Sequence, residues 1–305
     1  MEVVGSQPMS RLRAATRMIL VIVTLSVAWI DGAVAGRTCE PYVLTPATVA
    51  RGLELGKRSF DLLEASGAEV ALIARAGQDL TRYGLRYSHM GFVWCDHPDG
   101  RWTVVHELNA CGSAESSLFD QGLGNFFLDD PFRYEALIVI PDVESQHRLA
   151  TMLAGDMPQR MHEPHYNVIA FPFSTRYQNS NQWALELMAT AMSRDFPIAD
   201  RASAQTWLKA AGYRPTTLEI PALTRLGGRL FKANVAFDDH PFDRRMAGRI
   251  DAVSVESVLD FLRARAVVED EQVVSMPVTA LPGRPQRPGR ADREAPIAAA
   301  PPPGR

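Results

Sequence analysis

The chain has 305 residues, 46% of them hydrophobic, with 35 acidic against 32 basic side chains and a formal net charge of −3. That length and apolar content suffice for a proper core in one domain of ordinary size. The slightly acidic balance carries no electrostatic footprint for a nucleic-acid partner.

Arg11, Arg13 and Arg17 precede an apolar run from Met18 to Ile30, and Ala33-Val34-Ala35 follows it. A basic region, a short apolar core and an Ala-x-Ala site make a signal peptide over residues 1–35, cleaved after Ala35. The run is shorter than the roughly 20 residues a membrane-spanning helix needs, so no retained span is expected. Gly36-Arg37-Thr38 before Cys39 lacks a lipoprotein pattern, which leaves a soluble periplasmic or secreted protein. Cys39, Cys95 and Cys111 would then meet an oxidising compartment, where one disulfide and one leftover thiol are expected. Cys39 with Cys111 is the pairing we favour, because the N-terminal arm has little else to hold it.

Residues 36–275 read as a single α+β domain with a small antiparallel sheet and helices packed on it. Thr45 to Ala76 has a helical pattern interrupted near Ser66-Gly67, which predicts two helices or one bent helix. Residues 88–94 and 102–108 are rich in β-branched and aromatic side chains on either side of Pro98-Asp99-Gly100, the signature of an antiparallel hairpin. Residues 112–131 read as a surface loop with a short helix at Ser116 to Gln121. The continuous apolar run Ala136 to Ile140 predicts an inner strand. Asp142 begins a helix through Leu153 that Gly155 ends, and Asn167 to Phe171 reads as a short strand. Further helices are expected at Ser203 to Ala211 and at Val253 to Ala266. From Met276 to Arg305 there are eight prolines and five arginines and almost no large apolar side chains, so this tail is expected to be disordered.

The stretch Tyr177-Gln178-Asn179-Ser180-Asn181-Gln182-Trp183 runs into a helix with apolar residues at Trp183, Ala184, Leu187, Met188 and Met192. Asn179 or Ser180 begins that helix, whose N-terminus gathers unpaired N–H groups and the positive end of the dipole. Such a place stabilises a nucleophile or a bound anion. In its plainest reading Asn179 or Ser180 is only an N-cap. His89 heads the first hairpin strand, with Gly91 two residues later. Folding the hairpin about Pro98-Asp99 brings Glu107, give or take a residue, opposite His89, so Glu107 or His106 is the candidate third group that orients the imidazole.

A small hydroxyl residue flanked by amides and followed by an aromatic resembles the Asn-Cys-x-x-aromatic nucleophile motif of permuted papain-like hydrolases, NlpC-type and lecithin retinol acyltransferase-like. The His-x-Gly strand head resembles their base-carrying strand, and the order His89 then Ser180 is the permuted one. Asn125 to Phe132 and Tyr177 to Trp183 resemble the bacterial domain-of-unknown-function family 2145, a label that implies no established activity. The resemblance implies a permuted papain-like fold with Ser180, His89, Glu107 and His106 as the candidate catalytic set. Asn179, Asn181, Gln182 and Trp183 form the candidate binding set. No cofactor and no metal are implied.

Ser180 stands where those proteins carry cysteine. A thiol in such surroundings ionises near neutral pH, whereas a hydroxyl needs His89 to take its proton during attack. The reading favoured from sequence is therefore a noncatalytic domain that binds a peptide, a cell-wall fragment or a partner protein in a former active-site cleft. A serine-dependent hydrolase or acyltransferase acting on amide or ester bonds is its alternative.

His162-Glu163-Pro164-His165 is read as a loop, since proline breaks the helix a His-Glu-x-x-His zinc site needs. Phe127-Leu128-Asp129-Asp130-Pro131-Phe132 and Phe237-Asp238-Asp239-His240-Pro241-Phe242 look alike and are read as two Asp-Pro turns.

Overall fold

A computed structural model of the chain describes residues 44–129, 131–222, 224–225 and 233–276. The expected signal peptide, Cys39 and the Pro/Arg-rich tail beyond Met276 lie outside the described residues.

Helix α1 (Pro46–Ser66) starts at a capping box in which Thr45 and Thr48 satisfy each other's backbone N–H groups, with Pro46 in its first turn. It stops at Gly67, whose φ of 67° is the left-handed conformation suited to glycine. Residues 70–76, expected to be helical, form strand β1 (Val70–Ala76) instead. Every residue of β1 is buried, so its apolar run is unbroken and carries no period-2 signature to distinguish it from a helix.

A 3₁₀ turn (Thr81–Tyr83) leads to the expected hairpin, β2 (His89–Trp94) and β3 (Thr103–Asn109). Ser116 to Gln121, read from sequence as a short helix in a loop, is instead strand β4 (Ser116–Gly122). It pairs with β3 in register from Thr103↔Gly122 to Asn109↔Ser116, and this ladder overrides a weak strand propensity. Helix α2 (Leu123–Leu128) and the expected inner strand β5 (Arg133–Pro141) follow.

Helix α3 (Val143–Leu153) is capped by Asp142, as the sequence indicates, and α4 (Met157–Arg160) is a single turn. The strand expected at Asn167 to Phe171 does not form. That segment turns, leaving an isolated bridge between Tyr166 and Gln178. Helices α5 (Ser180–Met192) and α6 (Arg201–Ala210) precede the two-stranded sheet of β6 (Thr216–Glu219) and β7 (Arg249–Ala252). A short helix α7 (Phe242–Met246) lies between those two strands in sequence. Helix α8 (Val255–Ala264) and strand β8 (Val268–Ser275) close the described chain.

The main sheet runs β4-β3-β2-β1-β5-β8 and every neighbouring pair is antiparallel, so the chain is an α+β protein. On one face Leu72, Met90, Phe92, Val105 and Val139 pack with α3, α5, α6 and α8 into a continuous core. Trp183 and Leu187 of α5 are wholly buried there, and Phe92 meets Trp183 edge to face at 5.7 Å. Phe126 of α2 packs beneath the opposite face at β3, its ring 5.3 Å from that of His106. Among the described residues no helix is long and apolar enough to cross a membrane.

Candidate functional site

Two elements meet at the site: the head of β2 and the first turn of α5. Asn179 caps α5, its side-chain oxygen accepting from the Gln182 N–H at 2.8 Å while its amide donates to the carbonyls of Val168 and Val253. Ser180 is the first residue of the helix. Asn181 accepts a hydrogen bond from the Met90 N–H at 3.1 Å, which stitches the helix to β2 one residue beyond His89.

Behind this turn Glu186 is fully buried. It pairs with Arg201 at 2.8 Å and accepts from the amides of Gln178 (2.7 Å), Gln182 (3.2 Å) and Gln205 (2.8 Å). A buried carboxylate satisfied this fully fixes where the helix begins.

His89 Nδ1 lies 2.9 Å from Ser180 Oγ, and its Nε2 lies 2.8 Å from Nδ1 of His106. His106 Nε2 lies 3.2 Å from Oε1 of Gln121 on β4. The four side chains form one chain of hydrogen bonds, and its direction follows from its far end. The Gln121 carbonyl oxygen only accepts, so His106 carries its proton on Nε2 and presents a lone pair at Nδ1. His89 must then donate from Nε2, which leaves its Nδ1 to accept from the Ser180 hydroxyl. That is the protonation pattern of a general base waiting on a nucleophile.

Both imidazoles are held in the neutral form. Burial, then the positive charge of Arg75, then His106 hold His89 well below its ordinary range. Burial and Arg75 push His106 down to about 3, against smaller upward contributions from Gln121 and Asp129. Arg75 stands over the Phe126 ring at 4.8 Å, donates to the Phe126 carbonyl and pairs with Asp129 at 2.6 Å. The Phe126 ring packs against His89 and His106, so the aromatic run near residue 126 forms the apolar floor of the relay.

Gly91 explains the His-x-Gly pattern. A Cβ at this position would stand 2.7 Å from the His106 Cβ and 2.8 Å from the Val105 carbonyl oxygen, closer than real side chains approach. Glycine lets β3 bring His106 against the ring of His89.

Glu107 follows His106 and is equally buried, but the pleat turns it to the other face of β3. The third position of the chain is thus filled by His106, and Glu107 has no place in it. Neither carboxylate oxygen of Glu107 receives a hydrogen bond. The nearby Ser116 hydroxyl is engaged with His162 at 3.0 Å, so its pull on Glu107 is outweighed by burial, which raises the carboxyl group to about 8.

The four candidate binding residues are 8% exposed or less, and each has an internal bond. Beyond the capping and stitching bonds of Asn179 and Asn181, Gln182 donates to the Pro172 carbonyl and the Trp183 indole donates to the Pro158 carbonyl at 3.1 Å. They build the helix entry; no side chain of the four points into open space. The N–H groups of Ser180 and Asn181 lie ahead of the first intrahelical bond, where an oxyanion would be held. Tyr166, bridged to Gln178, brings its buried hydroxyl against Ser180.

Sequence reasoning missed Gln121, Tyr166, Arg75 and Phe126. Gln121 was hidden because β4 was not read as a strand, Phe126 lay in a stretch singled out only as a family resemblance, and Tyr166 and Arg75 carry no local signal.

Other polar groups of the described residues are engaged with one another. His97, Asp99 and Asp120 cluster at the hairpin turn, but His97 Nδ1 accepts from the Asp99 N–H at 3.1 Å. Its Nε2 faces Asp120 at 3.6 Å. His162 binds Ser116 while His165 turns to Glu163. In the two Asp-Pro segments Asp129 pairs with Arg75, and Asp239 accepts from the Phe171 N–H and contacts His240, so both anchor loops. Cys95 is a free, buried thiol, whereas the expected pairing of Cys111 involves Cys39, outside the described residues.

The chain belongs to the family described as an uncharacterized protein conserved in bacteria (DUF2145), which it matches over residues 62–262. That span includes His89, His106, Gln121 and Ser180. No curated protein and no solved structure matches the chain.

Proposed function

We propose that this family member is an exported, serine-dependent hydrolase or acyltransferase acting on amide or ester bonds, with a permuted papain-like arrangement of base strand and nucleophile helix. The observation that carries the reading is the hydrogen-bond chain Ser180–His89–His106–Gln121, whose polarity leaves a lone pair of His89 on the Ser180 hydroxyl.

In the reaction Ser180 Oγ bonds to the substrate carbonyl carbon as His89 Nδ1 takes its proton. The oxyanion faces the first turn of α5, where backbone N–H groups and the helix dipole stabilise it. His89 then returns the proton to the departing amine or alcohol, leaving an acyl-serine. Water, or an acceptor nucleophile, releases the acyl group with His89 again acting as base. His106 and Gln121 touch no reacting atom; they orient His89. The Arg-flanked apolar segment with Ala33-Val34-Ala35 supports export to the periplasm or medium.

The noncatalytic binding domain is retained as a second reading because Ser180 is 5% and His89 7% exposed, which limits access to the pair. A fluorophosphonate probe on the purified protein separates the two. Labelling of wild type that is lost in Ser180→Ala and His89→Ala is the expected result. An unlabelled wild type, or labelling that survives Ser180→Ala, would overturn the enzymatic reading.

A further inference from the structure

We infer that Gln121, on the edge strand of the main sheet, is the positioning residue that fixes the direction in which the Ser180–His89–His106 chain passes a proton, and that it does so with an uncharged carbonyl. The inference rests on the serine reading above and adds a residue to it.

A pair of bonded imidazoles can be written with its protons in two opposite ladders. In one, His89 accepts from Ser180; in the other, His89 presents N–H to Ser180 and cannot act as its base. Nothing within the pair chooses between them. At the near end the hydroxyls of Ser180 and Tyr166 can each donate or accept, so the choice is made at the far end, where Gln121 Oε1, which only accepts, lies 3.2 Å from His106 Nε2. β3–β4 pairing sets Gln121 opposite Val104, two residues along β3 from His106 and on the same face.

The groups facing the rings explain why an amide suits this place. His106 faces Arg75 of β1, Asp129 after α2, His89 of β2 and Gln121 of β4; His89 faces Arg75, His106 and Ser180. A carboxylate at position 121 would favour an imidazolium at His106, directly behind the base. The amide orients the ring without adding that charge, and Arg75 opposes a resident cation. A proton that arrives at His89 from Ser180 is therefore held only transiently and is readily passed on to the leaving group.

The test reads the rings directly. Nitrogen-15 NMR of the histidine side chains in the purified protein should show both His89 and His106 protonated on Nε2 at neutral pH. Gln121→Glu, close in shape and on a half-buried edge position, should keep that tautomer and raise the His106 titration midpoint by about one unit or more. The acid limb of Ser180 labelling should move upward with it. Gln121→Leu should lose the Nε2–H preference and slow labelling at least about tenfold, as a wrong tautomer does in a triad. His106 found protonated on Nδ1 in wild type, or ring shifts and midpoints unchanged in both variants, would overturn the inference. The ring measurement needs no turnover. A silent probe with the expected tautomers sinks only the serine reading, and indifferent rings sink only the role of Gln121.

Discussion

His106 and Glu107 are consecutive residues of β3, both with no exposed surface, yet they are buried in opposite ways. His106 has a partner on each ring nitrogen, whereas Glu107 has none on either carboxylate oxygen. Burial acts on both in the same sense, disfavouring charge, so it lowers the imidazole and raises the carboxylic acid. A displaced pKa in a protected place therefore does not mark the working residue. What separates the two is whether the group's hydrogen bonds lead to the Ser180 hydroxyl.

The sharpest break between them should come in reactivity. His106→Ala is expected to slow probe labelling of Ser180 by about 10²–10⁴-fold, since it frees the base to rotate and to change tautomer. Glu107→Gln should leave the rate within about threefold, because the carboxyl group is outside the relay and its contribution is to packing. Labelling time courses at fixed pH measure both. Equal losses would show that His106 and Glu107 do not differ in their hold on Ser180.

Stability against pH should show the same contrast with opposite slopes. His106 is protonated in the unfolded chain below about 6.5 but remains neutral in the fold down to about 3. The unfolded state thus binds more protons in that window, and stability falls with falling pH, by roughly 2 kcal/mol at pH 5 from this residue. Glu107 stays protonated in the fold up to about 8 but ionises near 4.5 when unfolded, so its contribution falls with rising pH. The loss between pH 5 and 9 is roughly 4 kcal/mol at most. Urea unfolding across pH 4–9 should show stability falling above about pH 6.5, where only Glu107 of the two titrates, and Glu107→Gln should remove that fall and steepen the rise between about pH 4.5 and 6.5, where the two contributions oppose each other.

Two smaller effects test the geometry that separates the faces. Gly91→Ala should destabilise by about 1–3 kcal/mol through overlap with His106 and Val105, and should slow labelling by shifting His106. Asn181→Ala removes the acceptor of the Met90 N–H and should cost about 1 kcal/mol in thermal or urea unfolding. A larger drop in labelling than in stability would show that this stitch sets the distance between His89 and Ser180.

How much of this was legible follows from which residues carry local information. The hairpin, the inner strand at 136–140 and the Asp142 cap were readable, and the α5 cap was narrowed to Asn179 or Ser180, because turn residues, an apolar run and side-chain caps are written within a few positions. The pair His89 and Ser180 was reached through short motifs. The choice between His106 and Glu107 was not readable, because a shift of one residue in hairpin register exchanges the faces. The observed register of Phe92↔Val105 and Trp94↔Thr103 settles it.

β1 escaped because a strand buried on both sides has no alternation. β4 and the acidic edge strand β8 escaped because polar edge strands are specified by their neighbours across the sheet. Gln121, carried on β4, was lost with it.

The spacing of the hydrogen-bond chain along the sequence has a consequence for the order in which its members meet as the protein folds. His89 to His106 spans 17 residues and His106 to Gln121 spans 15, so two adjacent strand pairings suffice to assemble the imidazoles and their amide. Ser180 is 91 residues from His89 and can reach it only once α5 has docked on the sheet. Contacts at such separation carry the larger chain-closure entropy and form late. By that argument Ser180 is expected to arrive last, so in the proposed mechanism a chain stalled before α5 docks would hold His89 with no hydroxyl to activate. On the proposed serine chemistry, probe labelling of Ser180 would then report that folding has finished.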